Sequence, residues 1–374
     1  MPRGRGVAAA RCGTRAFPLT SSVDNRANVA EKRGFSAKDV SKLNIHRVSM
    51  PAPIIAVTDW TFSDLSVEEQ AADKAGAKLV GRQCRSSEDL AALCFDADAV
   101  ITQFAKMDAG VIGRMPKARV IVRYGIGVDN VDLEAAKGRG IPVCNIPDYC
   151  VDEVADHTVA FILGLTRQVV ANAVLLRDGG WGLASPLESM GTLKNLTVGI
   201  VGFGRIGREV VRRLSPFKCR ILVFDPVAPR AEIEAAGAEA CSFAELLAAS
   251  DIVSPHCPSN ASTKKMFDAN AFAAMKDGAL FINVGRGDLA DAEALVAALT
   301  TGKLGGAALD VFDPEPIPAD HPIRRMNNVI LAAHIASASP TAVQTLRETA
   351  ISIALQAVRG ERLSNIVNGV SQTS

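Results

Sequence analysis

From Pro51 onward, short continuous apolar runs alternate with stretches whose apolar residues recur every three or four positions. The first kind reads as buried strand and the second as amphipathic helix. Strands are expected at Ile54–Val57, Ala99–Thr102, Val120–Arg123 and Ile141–Cys144, with helices at Val67–Ala75 and Ala109–Met115 between them. Val151–Val170 reads as one long helix, with Val154, Val159, Ile162 and Leu165 at helical spacing. A second, tighter series follows: strands at Val198–Val201, Ile221–Phe224, Ile252–Ser254, Leu280–Val284, Ala307–Asp310 and Val329–Leu331. The helix Arg205–Leu214 lies within it, and a last helix spans Pro340–Ala357. Repeated alternation of strand and helix predicts an α/β chain with parallel, doubly wound sheets covered by helices. At 374 residues, about two domains are expected. No low-complexity linker separates the two series, so the Val151 and Pro340 helices are expected to join them. The simplest path leaves the first unit, builds the second and returns.

Residues 1–49 break the pattern. Arg3, Arg5, Arg11 and Arg15 occur there without an acid among the first 23 positions, a composition compatible with a transit peptide. The expectation is instead a disordered extension or an over-extended start, because Met50 immediately precedes the first strand.

Charge and cysteine usage narrow the class. Forty-one basic and 40 acidic residues leave a net charge of +1, which offers no general field for nucleic acid or an anionic membrane. The eight cysteines include no C-x-x-C pair and read as thiols of a reducing compartment, neither a disulfide framework nor a metal site, so a cytoplasmic location is expected. The longest apolar candidate, Thr158–Leu176, is interrupted by Arg167, Gln168 and Asn172 and reads as a buried helix, not a membrane span.

The chemistry gathers at strand ends. Gly202-Phe-Gly-Arg-Ile-Gly207 follows one strand and opens a helix, and Asp225 closes the next strand 18 residues beyond Gly207. In that setting Gly202 serves the tight turn, Gly204 lets backbone approach a pyrophosphate, and Gly207 permits close helix–strand packing. Arg205 and Ile206 begin the helix whose N-terminus would face the phosphates. Asp225 would accept both ribose hydroxyls of NAD and repel a 2′-phosphate, so NAD is the expected cofactor. Among the five histidines, His256, in Ser254-Pro-His-Cys257, should line the cofactor, and His334 follows the last strand. Arg286, between Gly285 and Gly287, could grip a carboxylate with its fork, and Glu315 lies between Pro314 and Pro316. A cation, a carboxylate and an imidazole at successive strand ends can move a proton and a hydride on a carboxylate-bearing carbonyl compound.

These motifs, in this order, resemble the D-isomer-specific 2-hydroxyacid dehydrogenase family from about Pro51 to Val370. The segments Ile121–Asn130, Val143–Tyr149 and Glu153–Thr158 are most similar to the branch that includes the C-terminal binding proteins. The resemblance implies a Rossmann cofactor domain, residues 151–337, inserted into a discontinuous flavodoxin-like substrate domain, residues 51–150 and 338–370, and a homodimer. It implies His334 as acid/base paired with Glu315, and Arg286 on substrate carboxylate and carbonyl. It gives Ile126 and Gly127 as amide donors to the carboxylate and Arg123 as a second cation. Thr158 would touch the phosphates, Asp310 the nicotinamide amide, and Cys257 and Val284 the cofactor. The reaction so implied is reversible reduction of a 2-oxo acid to a D-2-hydroxy acid. The rival reading is an NAD-responsive, corepressor-like binding protein with little turnover.

Overall fold

The computed structural model describes residues 51–371, and the expectation for residues 1–49 lies outside them. Two sheets, each parallel throughout, form the body. The first contains β1 (Ile54–Val57), β2 (Lys78–Gly81), β3 (Ala99–Thr102), β4 (Ile121–Arg123) and β5 (Val143–Cys144), in the order β2-β1-β3-β4-β5. Its helices are α1 (Ser66–Ala75), α2 (Ser87–Cys94), α3 (Ala109–Gly113) and α4 (Leu133–Gly138). Then come α5 (Val151–Thr166) and α6 (Val169–Arg177), which lead into the second sheet.

That sheet contains β6 (Thr197–Val201), β7 (Arg220–Phe224), β8 (Glu239–Ala240), β9 (Ile252–Pro255), β10 (Ala279–Asn283), β11 (Leu304–Leu309) and β12 (Val329–Leu331). Its order is β12-β11-β10-β9-β6-β7-β8. The intervening helices are α7 (Arg205–Leu214), α8 (Arg230–Ala235), α9 (Phe243–Ala249), α10 (Ala269–Ala274) and α11 (Ala292–Thr300), and α12 (Pro340–Arg359) follows.

Each sheet is covered on both faces, which explains why its inner strands read as continuous apolar runs. In the first sheet, Ile55, Val57, Ile101 and Val122 pack against Leu346, Ala350 and Ala354 of α12 on one side. Val100, Ile121 and Val143 meet Leu90, Val111 and Ala136 on the other. Helix α12 has therefore returned to the first sheet. The segment beyond it follows, because Cys144 pairs antiparallel with Ile366 and Asn368 bonds the Val143 N–H and the Ile141 carbonyl. In the second sheet, Val198 and Ile200 face Ile162 and Val210, while Val253 and Phe281 face Leu246, Phe272 and Leu295.

The long helix expected over Val151–Val170 is two helices. Gln168 takes φ 55°, and α5 and α6 diverge by 62°. The run Thr158–Leu176 is accordingly not one buried helix, since α6 contains no buried residue. Among the described residues no single helix is long and apolar enough to cross a membrane. Edge strands β2 and β8 were not anticipated: short and largely exposed, they show no apolar run.

Both strand orders contain a reversal, between β1 and β3 in the first sheet and between β6 and β9 in the second. Loops leaving neighbouring strands part at such points and leave a crevice at the carboxyl ends, where ligands bind in open α/β sheets.

Candidate active site

At the second reversal, β6 turns through Gly202 and β9 through His256 and Cys257. Gly202 has φ 102°, and a Cβ there would sit 2.7 Å from the Cys257 nitrogen, so both backbone freedom and space demand glycine. A Cβ on Gly207 would come 2.1 Å from the Gly202 carbonyl oxygen. Gly204 meets nothing within 4 Å and stands before α7 without a side-chain cap. The first-turn N–H groups of that helix are thus presented to an open crevice, a seat for phosphate oxygens. These features fit a dinucleotide.

A cavity of about 500 Å³ runs from this turn toward the first sheet. Gly204, Arg205, Ile206, His256, Cys257, Val284 and Asp310 line it on one side, and Arg123, Ile126 and Gly127 on the other, with Arg286 and His334. The structure thus brings together most of the residues singled out in the sequence. Gly202 and Gly207 shape the turn without reaching the wall.

Three residues make hydrogen bonds that the motifs did not foretell. Thr158 is fully buried and donates its hydroxyl to the Val154 carbonyl at 2.8 Å; Val154, one turn earlier, reaches the cavity wall instead. Helix phase, invisible in the motif, decides this. Asp225 lies off the cavity wall. Its Oδ2 accepts the Phe203 N–H at 2.7 Å, and its Oδ1 accepts those of Val227 and Ala228 at 2.8 Å. Burial alone would raise this carboxyl, but the three N–H donors outweigh it and hold the group below the usual range. With about four acceptor directions on a carboxylate, one remains for a ribose hydroxyl unless an N–H is released. Asp310 is wholly buried and accepts the Ile335 and Ala336 N–H groups on separate oxygens at 2.8 Å. Its visible work is to fix the loop carrying the histidine.

His334 itself has φ 54°, a left-handed conformation uncommon for a non-glycine residue, and its N–H donates to the Asp310 carbonyl at 2.7 Å. Strain held by such surroundings is frequent at functional sites. Its Nδ1 lies 2.7 Å from Glu315 Oε2, which leaves Nε2 as the uncommitted ring nitrogen. Glu315 Oε1 accepts the Phe312 N–H at 2.9 Å. Burial works to raise the Glu315 carboxyl, yet His334 and the Phe312 amide outweigh it, and the group sits below its ordinary value. The ring of Phe104, on the loop after β3, stands edge-on to His334 with centroids 5.8 Å apart. Burial pushes His256 down to about 4, so it is neutral at physiological pH.

Two guanidinium groups share the remaining wall. Arg123 is buried, and its Nε has no hydrogen-bond partner. Burial first, and then the charge of Arg286, lowers it to about 10. Arg286 donates Nε to Asp129 Oδ1 at 2.9 Å. Asp129, Tyr149, Cys150 and Val154 also line the cavity and carried no signal of their own in the sequence. Of these, only the neighbourhood of Asp129 to the glycine loop Gly125–Gly127 could have pointed to it.

A helix N-terminus at a sheet reversal, beside an imidazole–carboxylate pair and two arginines, defines an NAD-binding oxidoreductase that acts on an anionic substrate. The comparisons agree. The family described as "D-isomer specific 2-hydroxyacid dehydrogenase, NAD binding domain" matches residues 159–336. A glyoxylate reductase of Thermofilum pendens is 39% identical over 288 residues, 76% of this chain and 85% of that protein. The solved glyoxylate reductase of Paecilomyes thermophila superposes with a TM-score of 0.78 at 28% identity, covering 85% of this chain and 99% of that one. The D-lactate dehydrogenase of Aquifex aeolicus, complexed with NAD and lactic acid, gives 0.73 at 27% identity over 82% of this chain and 96% of its own. The chain belongs to the D-isomer specific 2-hydroxyacid dehydrogenase family, and its cofactor is NAD.

Proposed function

We propose that the protein reversibly reduces a short 2-oxo acid to its 2-hydroxy acid: glyoxylate, the simplest, to achiral glycolate, and longer acids to the D isomer. The observation that carries this is the His334–Glu315 pair at 2.7 Å, facing a cavity that Arg286 and Arg123 also line. NADH, when bound, supplies the hydride; the 2-oxo acid and one proton complete the balance to hydroxy acid and NAD⁺. His334 donates that proton from Nε2 to the carbonyl oxygen as charge develops there. Glu315, ionised through the neutral range, favours the imidazolium before the proton leaves. The Ile126 and Gly127 amides and the guanidinium groups seat the carboxylate, which aligns the carbonyl carbon for attack. Gly204, Arg205 and Ile206 would hold the phosphates, with His256, Cys257 and Val284 lining the cofactor and Asp310 at the nicotinamide amide. The Phe104 ring, beside His334 and Arg123, supports a preference for short side chains.

A homodimer is proposed as well. On and after α6, Val169, Val170, Val174, Leu176 and Leu183 are exposed, and Trp181 is 93% exposed. An apolar surface of this kind is suited to a partner. A cytoplasmic location is consistent with the free thiols of the described cysteines. The test of activity is NADH oxidation across glyoxylate, pyruvate, hydroxypyruvate and longer 2-oxo acids. Turnover favouring the short acids is expected, whereas NADH binding without turnover on any of them would favour the corepressor-like reading.

A further inference from the structure

Arg286 does not present its whole fork to the cavity. Nε is committed to Asp129 at 2.9 Å, and Nη1 donates to the Gly285 carbonyl at 2.9 Å. Only Nη2 is left. It lies where a side chain on Gly127 would begin, 1.8 Å from the position of a Cβ there, so glycine is required for the guanidinium to reach this place. Asp129 belongs to the loop after β4, in the first sheet's layer, and Arg286 to the loop after β10 in the second. The pair therefore crosses the crevice. Asn130, next in sequence, ties the same loop to the Gln103 and Ala105 carbonyls at 3.4 and 2.9 Å.

Arg286 is paired with Asp129, and Glu315 is engaged by the His334 ring. Arg123 stands alone: buried, with an unpartnered Nε and no carboxylate within ion-pair distance among the described residues. A buried cation without a partner is costly unless an anion comes to it. The single unpaired guanidinium suits the carboxylate of a monoanionic acid.

We propose that Asp129 is a positioning residue that neutralises and orients Arg286, so that Nη2 serves the substrate carbonyl, while Arg123 supplies the charge that holds the substrate carboxylate. This rests on the reading of the cavity as a 2-oxo acid site and gives separate tasks to two arginines first expected to seat the substrate together. An exposed ion pair adds little to stability, so its consequence is expected in the kinetics.

Asp129→Asn keeps an oxygen for Nε and removes the charge; Asp129→Ala removes both. Oxamate, an unreactive 2-oxo acid mimic, is titrated against the enzyme–NADH complex of wild type, D129N, D129A, R123K and R123Q by cofactor fluorescence, and kcat and KM are measured beside it. Both Asp129 variants should bind oxamate about threefold to tenfold more tightly, because one positive charge is no longer cancelled. D129A should lose roughly tenfold to a hundredfold in kcat through misorientation, with a smaller loss in D129N. Arg123→Gln should weaken oxamate by about tenfold to a hundredfold, the scale of a charge-assisted hydrogen bond, and R123K should recover part of it. A structural role alone would not tighten binding while slowing turnover. Unchanged or weaker oxamate binding in D129N, full oxamate affinity in R123Q, or no oxamate binding by wild type would each overturn the proposal. If wild type turns over no 2-oxo acid, the proposed activity fails, and the oxamate titrations still decide the roles of Asp129 and Arg123.

Discussion

At the scale of single residues, the site depends on which carboxylates stay ionised and what they hold. Glu315 is held below its ordinary value, so it carries its charge above that depressed range and loses it only as pH falls through it. Glu315→Gln removes the anion beside the imidazole, and reduction should then fall off at a lower pH on the alkaline side. A pH–kcat profile superposable on wild type would exclude Glu315 from that part. Asp225, charged and bound by three N–H groups, faces a 2′-phosphate with like charge. Replacing it with Ser, together with Pro226→Arg, should move preference toward NADPH; measured kcat/KM for the two cofactors checks this, and equal use of both by wild type would contradict the assignment. The residues of this site were legible where chemistry sits at a strand end, as with Arg286, Glu315 and His334. They were not where a contact spans the fold: Asp129 and Arg286 are 157 positions apart. Thr158 shows the other failure, since a motif does not reveal which side of a helix faces the cavity.

At the scale of elements, the inner strands were readable because burial on both faces turns them into apolar runs. The edge strands β2 and β8 are exposed and too short for such a run, and the break after Thr166 lies inside a stretch that stays apolar on both sides. The loops show a similar division. Asp59, just past β1, gathers the loop after β3: its Oδ1 accepts the Gln103 N–H at 2.9 Å, and its Oδ2 those of Phe104 and Ala105 at 2.6 and 3.1 Å. This loop presents Phe104 to His334 and to Arg123, whose guanidinium carbon lies 5.8 Å from the ring centroid. Asp59→Asn would turn an amide NH₂ toward donors that need an acceptor, a loss of about 1–3 kcal/mol per unsatisfied group. Thermal melting should drop by several degrees, and KM for the oxo acid should rise more than kcat falls. A lowered melting temperature with unchanged KM would disconnect this loop from substrate binding.

At the scale of the whole molecule, two sheets each reverse their strand order; the cavity opens from the reversal in the second, and its other wall comes from the loops after β4 and β5 of the first. The return of α12 to the first sheet closes that layer, and the lone helix after the last strand signalled it in advance. The exposed apolar face of α6 was not legible, because the run containing it read as buried interior. If this face joins two copies, light scattering should report a dimer, and Val170→Asp with Val174→Asp should shift it toward monomer; an unaltered mass would place the interface elsewhere. The central claim is that this crevice transfers hydride to a 2-oxo acid with His334 as the proton donor. Its most direct test is steady-state NADH oxidation with short 2-oxo acids by wild type and His334→Ala side by side, with NADH affinity measured for both. The account predicts turnover by wild type, a loss of roughly two to four powers of ten in kcat for the variant, and equal NADH affinity. Full turnover by His334→Ala on the best substrate would contradict it.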